Sequence, residues 1–186
     1  MIKEVYILES DLNNYSSFLQ FNAGDESIDR VGMRAKGNSL KNTYKEIKVD
    51  LMPSDTGKRN YKFDISGALA PFIIFSEAAC NELQNILLPR GDLFSLITPS
   101  KRKKFLGYYS TNIIRGALDK NKSIYNKYKN GYVVTKPVLI KENITDGYLF
   151  VIEEDNAHVF VTDKFKKEVE EIGLLGFDFS IKVDLS

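Results

Sequence analysis

The feature that most constrains this chain is a segment near its end that spells out a strand, a capped helix, a glycine stop and a second strand in unbroken order. His158-Val159-Phe160-Val161 is an apolar run of strand length. Thr162 and Asp163 follow: a side chain able to cap a helix, and an acid suited to its first turn. Phe165, Val169 and Ile172 then recur at i, i+4, i+7, with Lys166, Lys167, Glu168, Glu170 and Glu171 between them, as in an amphipathic helix. Gly173 stands where a C-cap glycine belongs. From Phe177 to Val183 apolar and polar residues alternate, the pattern of a half-buried strand.

The same plan occurs earlier. Phe72-Ile73-Ile74-Phe75 reads as a buried strand, Ser76-Glu77 as cap and first-turn acid, and Ala79, Leu83 and Ile86/Leu87 as a helical stripe stopped by Pro89 and Gly91. Leu93–Ile97 reads as a strand. The two units share little residue identity, so common strand–helix–strand architecture accounts for them better than duplication. Between them lie Tyr108-Tyr109, Asn112-Ile113-Ile114 and a polar stretch up to Asn130-Gly131, a strong turn signal. Short strands at 132–135, 138–140 and 148–153 follow, with turns at Asp146-Gly147 and Glu154–Ala157. Val49–Met52 reads as a strand stopped by Pro53. Together these predict an α+β fold in a single domain, with a mixed or mainly antiparallel sheet and at least two helices. Residues 1–60 form a polar N-terminal part of short strands and loops after an opening strand at 2–8, and residues 61–186 form the core.

A chain of 186 residues buries roughly 70% of its unfolded surface and needs no covalent staple. Its single cysteine, Cys80, can form no internal disulfide, which favours a reducing, cytoplasmic setting. The start lacks the basic and apolar pattern of a secretory signal, and no apolar stretch approaches the roughly 18 residues a membrane span requires.

The residues needed for bond-making chemistry do not assemble in the sequence. The one histidine, His158, lies in an expected strand, and Cys80 in an amphipathic helix, where a free thiol behaves as a small hydrophobe. Two Cys/His residues in total argue against a zinc site, so no metal and no cofactor are expected. Gly57-Lys58 is followed by Arg59, and Met52 stands where a phosphate loop has its first glycine. The acid groups Glu153/Glu154/Asp155 and Glu168/Glu170/Glu171 read as solvated faces. The chain is therefore expected to bind rather than catalyse.

Charge is distributed unevenly. Residues 101–136 carry ten Lys/Arg against the single acid Asp119, whereas residues 137–186 carry five Lys against eleven acids. The basic segment also holds Tyr108, Tyr109, Tyr125, Tyr128 and Tyr132, the cation-and-ring mixture of single-strand binders, so a nucleic-acid-binding module is the alternative reading.

The stretch from Asp64 to Phe179 resembles a family of bacterial immunity proteins that accompany polymorphic toxins. The resemblance rests on several short stretches. They are Phe72–Phe75 with Ser76-Glu77, then Tyr108-Tyr109-x-x-Asn112, then Leu118-Asp119-x-x-x-Ser123. The last and most specific is Val159-Phe160-Val161-Thr162-Asp163 with Phe165, continuing into Gly173-Leu174-x-Gly176-Phe177-x-Phe179. It implies a cytoplasmic antidote that binds and blocks a cognate toxin domain encoded nearby, often a nuclease, with no catalytic residues of its own. It matches Asn112, Asp119 and Ser123 to motif positions that are often scaffold. A nuclease antidote commonly presents acid to a basic cleft, and Glu153, Glu154 and Asp155 are the residues expected to do so here.

Overall fold

The run Phe72-Ile73-Ile74-Phe75 is apolar throughout because both of its faces are buried. In a computed structural model describing residues 2–186, the strand Phe72–Ser76 sends Phe72 and Ile74 into one core, with Phe18, Phe63, Phe105 and Tyr109. It sends Ile73 and Phe75 into another, with Tyr6, Val161 and Phe165. Alternation of side chains across a strand makes this division automatic. The strand Val5–Ile7 obeys the same rule: Tyr6 joins the second core, while Val5 and Ile7 join a third that includes Phe150, Phe160 and Val183.

These cores are organised by two sheets of an α+β fold. A four-stranded sheet runs in the order Ile65–Ser66, Phe72–Ser76, Phe105–Ser110, Gly91–Phe94. A six-stranded sheet runs Ile113–Ile114, Leu149–Ile152, Asp155–Thr162, Val5–Ile7, Lys182–Leu185, Val138–Leu139. The second sheet is mixed, since its outermost strand on each side pairs parallel to its neighbour. The central core draws residues from both sheets and from the helices, including Cys80, Leu87, Phe165 and Val169.

The helix boundaries follow the capping chemistry. Ser76 Oγ accepts from the Ala79 N–H at 3.1 Å, and Thr162 Oγ1 accepts from the Lys164 N–H at 3.2 Å. Gly173 takes a left-handed conformation at φ +80° and closes the helix Asp163–Ile172 by donating to Val169 and Glu170 carbonyls. The helix capped by Ser76 is interrupted. It runs Glu77–Glu82, breaks at Leu83, resumes as Gln84–Leu87 and ends in a 3₁₀ turn at Leu88–Arg90 around Pro89.

The two strand–helix–strand units share a topology. In neither do the two strands touch. Phe105–Ser110 lies between Phe72–Ser76 and Gly91–Phe94, and Val5–Ile7 lies between Asp155–Thr162 and Lys182–Leu185, antiparallel to both neighbours in each case. Each unit is thus a split β-α-β arrangement.

Several sequence expectations are corrected. Residues 10–60, read as strands and loops, contain a helix at Ile28–Ala35. Its Gly32 lets it press against the core, since a Cβ there would stand 3.1 Å from Pro71 Cγ and 3.2 Å from the Tyr109 ring. The strand expected to run from Phe177 to Val183 breaks in two: Phe177–Asp178 pairs with Glu9–Ser10, and Lys182–Leu185 pairs with Val5–Ile7. Leu93–Ile97 likewise divides, because Leu96–Ile97 leaves the sheet to pair with Ile47–Lys48. The turn placed at Glu154–Ala157 is confined to Glu153 and Glu154, and the strand starts at Asp155. Among the described residues, no helix is long and apolar enough to cross a membrane.

Candidate functional site

The turn expected at Asn130-Gly131 falls one residue earlier, at Lys129-Asn130, and Gly131 already opens the second strand opposite Tyr128. The turn joins the strands Ile124–Tyr128 and Gly131–Lys136 into a two-stranded ribbon that belongs to neither large sheet. The ribbon's register sorts its residues by face. Tyr125 opposes Val134 and Lys127 opposes Tyr132; Val134 is buried in the third core, and Tyr125 and Tyr132 pack against that core with their rings edge-to-face on each other. Asn126 opposes Val133 and Tyr128 opposes Gly131 on the other face, which turns outward. Ile124 sits at a register shift and is also exposed. Ile124, Tyr128 and Val133 are 60%, 59% and 54% exposed, so the ribbon carries an apolar strip that faces largely outward.

The ribbon is anchored at both ends. At its root, Ser123 Oγ accepts from the Val138 N–H at 2.9 Å, and Lys120 Nζ lies 3.3 Å from Glu154 Oε1. Lys120 also sits 5.4 Å from the Tyr132 ring centroid. At its tip, Lys36 Nζ donates to the Asn130 carbonyl at 2.8 Å from the end of the Ile28–Ala35 helix. Residues 120–136 contain five lysines and no acid. Three lysines find carboxylates: Lys120 with Glu154, Lys122 with Asp119 and Lys136 with Asp184. Among the described residues, Lys127 and Lys129, like Lys36 beside them, have none within ion-pair distance.

The acidic turn differs from its reading as a solvated face. Glu153 is exposed, but Glu154 and Asp155 are only 5% and 3% exposed. Asp155 is held by local demand: its Oδ1 accepts from the Ala157 and His158 N–H groups, and its Oδ2 lies 2.7 Å from His158 Nδ1. Glu154 is drawn in by Lys120, while its Oε2 is buried without a hydrogen-bond partner. A two-residue connection between strands leaves its flanking side chains against the sheet, which the string of three acids does not reveal. The acids of the helix Asp163–Ile172 are partly neutralised by Lys166–Glu170 and Lys167–Glu171 pairs.

The three motif residues serve the scaffold. Asn112 Nδ2 donates to the Leu149 carbonyl at 2.7 Å, tying the Ile113–Ile114 strand to its neighbour. Asp119 Oδ1 accepts from the Asn121 and Lys122 N–H groups, forming the turn that leads into the ribbon. Ser123 bridges that turn to Val138.

The basic segment 101–136 does not form one surface. Tyr108 and Tyr109 are buried, their hydroxyls donating to the Leu87 and Gly32 carbonyls, so neither ring is open for stacking. Lys103 is consumed by Asp64 and the Phe63 carbonyl, both at 2.8 Å. Lys101 and Arg102 lie on a loop before the strand Phe105–Ser110, which at six residues spans roughly 17–20 Å and separates them from the residues that lead to the ribbon.

Cys80 and His158 belong to different sides of the six-stranded sheet. Cys80 lies in the central core, where burial pushes its thiol up to about 12. His158 packs edge-to-face on Phe160, a residue of the third core, and lines a groove of about 210 Å³ with Ser10, Gly67 and Ala70. Among the described residues, no three His, Cys, Asp or Glu side chains are grouped to hold a metal ion. No protein-family model matches the sequence, and no curated protein matches it.

The ribbon strip escaped the sequence reading because lysines interleave its apolar residues and because both faces carry large side chains. The available signal was Ile124-x-Asn126-x-Tyr128 interleaved with Tyr125-x-Lys127, a period-two pattern on each face before a strong turn.

Proposed function

We propose that this chain is an immunity protein, a cytoplasmic antidote that neutralises a cognate toxin by binding it, and that the ribbon supplies the contact. The observation that carries this reading is the outward strip of Ile124, Tyr128 and Val133 on an anchored ribbon. Tyrosine is among the usual anchors of tight protein interfaces, and a rigid support lowers the cost of ordering it and the apolar contacts around it. The resemblance of residues 64–179 to immunity proteins gives the partner its class. Antidotes work at low free toxin concentration, and nuclease–immunity pairs reach Kd values of about 10⁻¹³ M or below. Inhibition of this kind requires no turnover. Glu154 and Asp155 stabilise their own turn in this reading, and Glu153 alone of the three acids remains for contact.

The test is co-expression with the product of the neighbouring gene. Rescue of growth and co-purification of the two chains are expected. Neither rescue nor complex with any adjacent toxin would remove the reading.

A second reading has one observation in its favour: exposed Tyr128 stands between Lys127 and Lys129, and among the described residues Lys101 and Arg102 have no carboxylate within ion-pair distance. A single-stranded nucleic acid would use them for stacking and phosphate contact. It predicts retention on heparin or single-stranded DNA that weakens steeply with salt. Ile124 and Val133 favour a protein partner instead, since neither contributes to stacking or to phosphate binding.

A further inference from the structure

The charge around the strip defines the partner more narrowly. We infer that the ribbon docks on an acidic protein surface, one that brings carboxylates to Lys36, Lys127 and Lys129 at the turn end of the ribbon and an apolar recess to Tyr128 and Val133. This rests on the protein-binding reading above and adds the chemistry of the partner.

The three lysines lie at or beside the turn end of the ribbon, Lys36 and Lys129 at the turn and Lys127 with its side chain over Tyr132. Lys36 reaches the turn through the Asn130 carbonyl, and Gly131, opposite Tyr128, lies 3.8 Å from Lys36 Nζ when given a Cβ. Lys127 Nζ lies 5.8 Å from the Tyr132 ring centroid. Lys129 is the first residue of the turn and is exposed. The nearby carboxylates are taken by other lysines: Glu154 pairs with Lys120, Asp119 with Lys122 and Asp184 with Lys136. Uncompensated charge of one sign beside an exposed apolar strip attracts its complement and repels its like, which sets encounter rate and selects partners.

Two other occupants fit less well. A second copy meeting this one about a two-fold axis would place the same patch on both sides of the contact, lysines against lysines. A basic toxin cleft, the usual target of an acidic antidote, would be repelled here. The sign of this surface is the reverse of the one expected from the acids of residues 137–186.

The experiment measures binding of the neighbouring gene product, inactivated at its toxic site where needed, to four full-length chains: wild type, K127E/K129E, Y128A/V133S and K101E/R102E. Acidic docking predicts that association with wild type slows at least about tenfold between low and high salt, and that K127E/K129E slows it by a similar factor. Y128A/V133S should mainly speed dissociation, by about tenfold or more. K101E/R102E should bind as wild type. Salt-independent binding that survives K127E/K129E overturns the inference while leaving the antidote reading intact. Absence of any complex with growth unrescued removes both. Retention of a single-stranded oligonucleotide that is lost in K127E/K129E, or a wild-type dimer in sedimentation dissolved by Y128A/V133S, would assign the strip to nucleic acid or to self-association and overturn the inference.

Discussion

His158 Nδ1 donates to Oδ2 of Asp155 across 2.7 Å, while the other oxygen of that carboxylate accepts from the His158 backbone N–H. The side-chain hydrogen bond raises the histidine pKa against the opposing effect of burial, with the negative charges of Asp155 and Glu9 adding to it. A raised histidine stabilises the fold fully below its unfolded value of about 6.5, and that stabilisation is lost as pH rises through the folded value. As the only histidine, it gives a single ring resonance by NMR. Its titration midpoint should lie above about 6.5 in wild type and fall in D155N. The stability difference between the two chains should be largest below that pH. A midpoint unchanged by D155N would refute the pairing.

Asp64 joins four parts of the chain. Its Oδ1 accepts from Ser76 Oγ at 2.7 Å and Lys103 Nζ at 2.8 Å, and its Oδ2 accepts from the Leu175 N–H at 2.9 Å. Burial alone would raise its pKa, but these partners, Lys103 foremost, hold it below the usual carboxylate range. Its contribution is therefore present above about pH 3.9 and lost as pH falls through the depressed value. D64A should cost about 3 kcal/mol in denaturant unfolding near neutral pH, from charge-assisted hydrogen bonds of roughly 1.5–3 kcal/mol each discounted for the partial exposure of Lys103. D64N should cost less.

Gly107 is required by the ring laid across it. A Cβ at this position would overlap the Phe72 ring atoms, which are fixed in a fully buried cluster. G107A should destabilise by about 1–3 kcal/mol, and a double-mutant cycle with F72L should recover part of the loss. Additive effects of the two changes would contradict the overlap.

The Cys80 thiol, buried and pushed up to about 12, should be inert to thiol reagents at pH 8 in the folded chain and react only at the rate of unfolding. Labelling kinetics against denaturant concentration measure this directly.

The outward strip should be dispensable for folding. I124S, Y128A and V133S should each shift unfolding free energy by no more than about 0.5 kcal/mol, because these side chains contact water. A larger loss would mean that the strip belongs to the core.

What could be read from sequence was what depends on near neighbours. Ser76 and Thr162 cap their helices, Gly173 ends one and the Asn130-Gly131 signal lies within one residue of the ribbon's turn, because each needs only residues within a few positions. The fate of Tyr108 and Tyr109 depended on distant groups, the Leu87 and Gly32 carbonyls, and so did that of Lys103, which is claimed by Asp64. Glu154 looked solvated because nothing nearby in sequence signals that Lys120 will reach it. The helix at Ile28–Ala35 was hidden by Gly32, a poor helix former retained for close approach to Pro71 and Tyr109. The break at Ser180-Ile181 reflects the needs of two different partner strands.

The position of Val5–Ile7 between Asp155–Thr162 and Lys182–Leu185 has a consequence for folding. Val5 pairs with both Thr162 and Val183, residues far from it along the chain. The six-stranded layer therefore closes through pairings of long sequence separation, which form slowly. Until it closes, the wall against which the ribbon packs Val134, Tyr125 and Tyr132 is incomplete. A refolding molecule must finish that slow step before it can offer a rigid ribbon to anything.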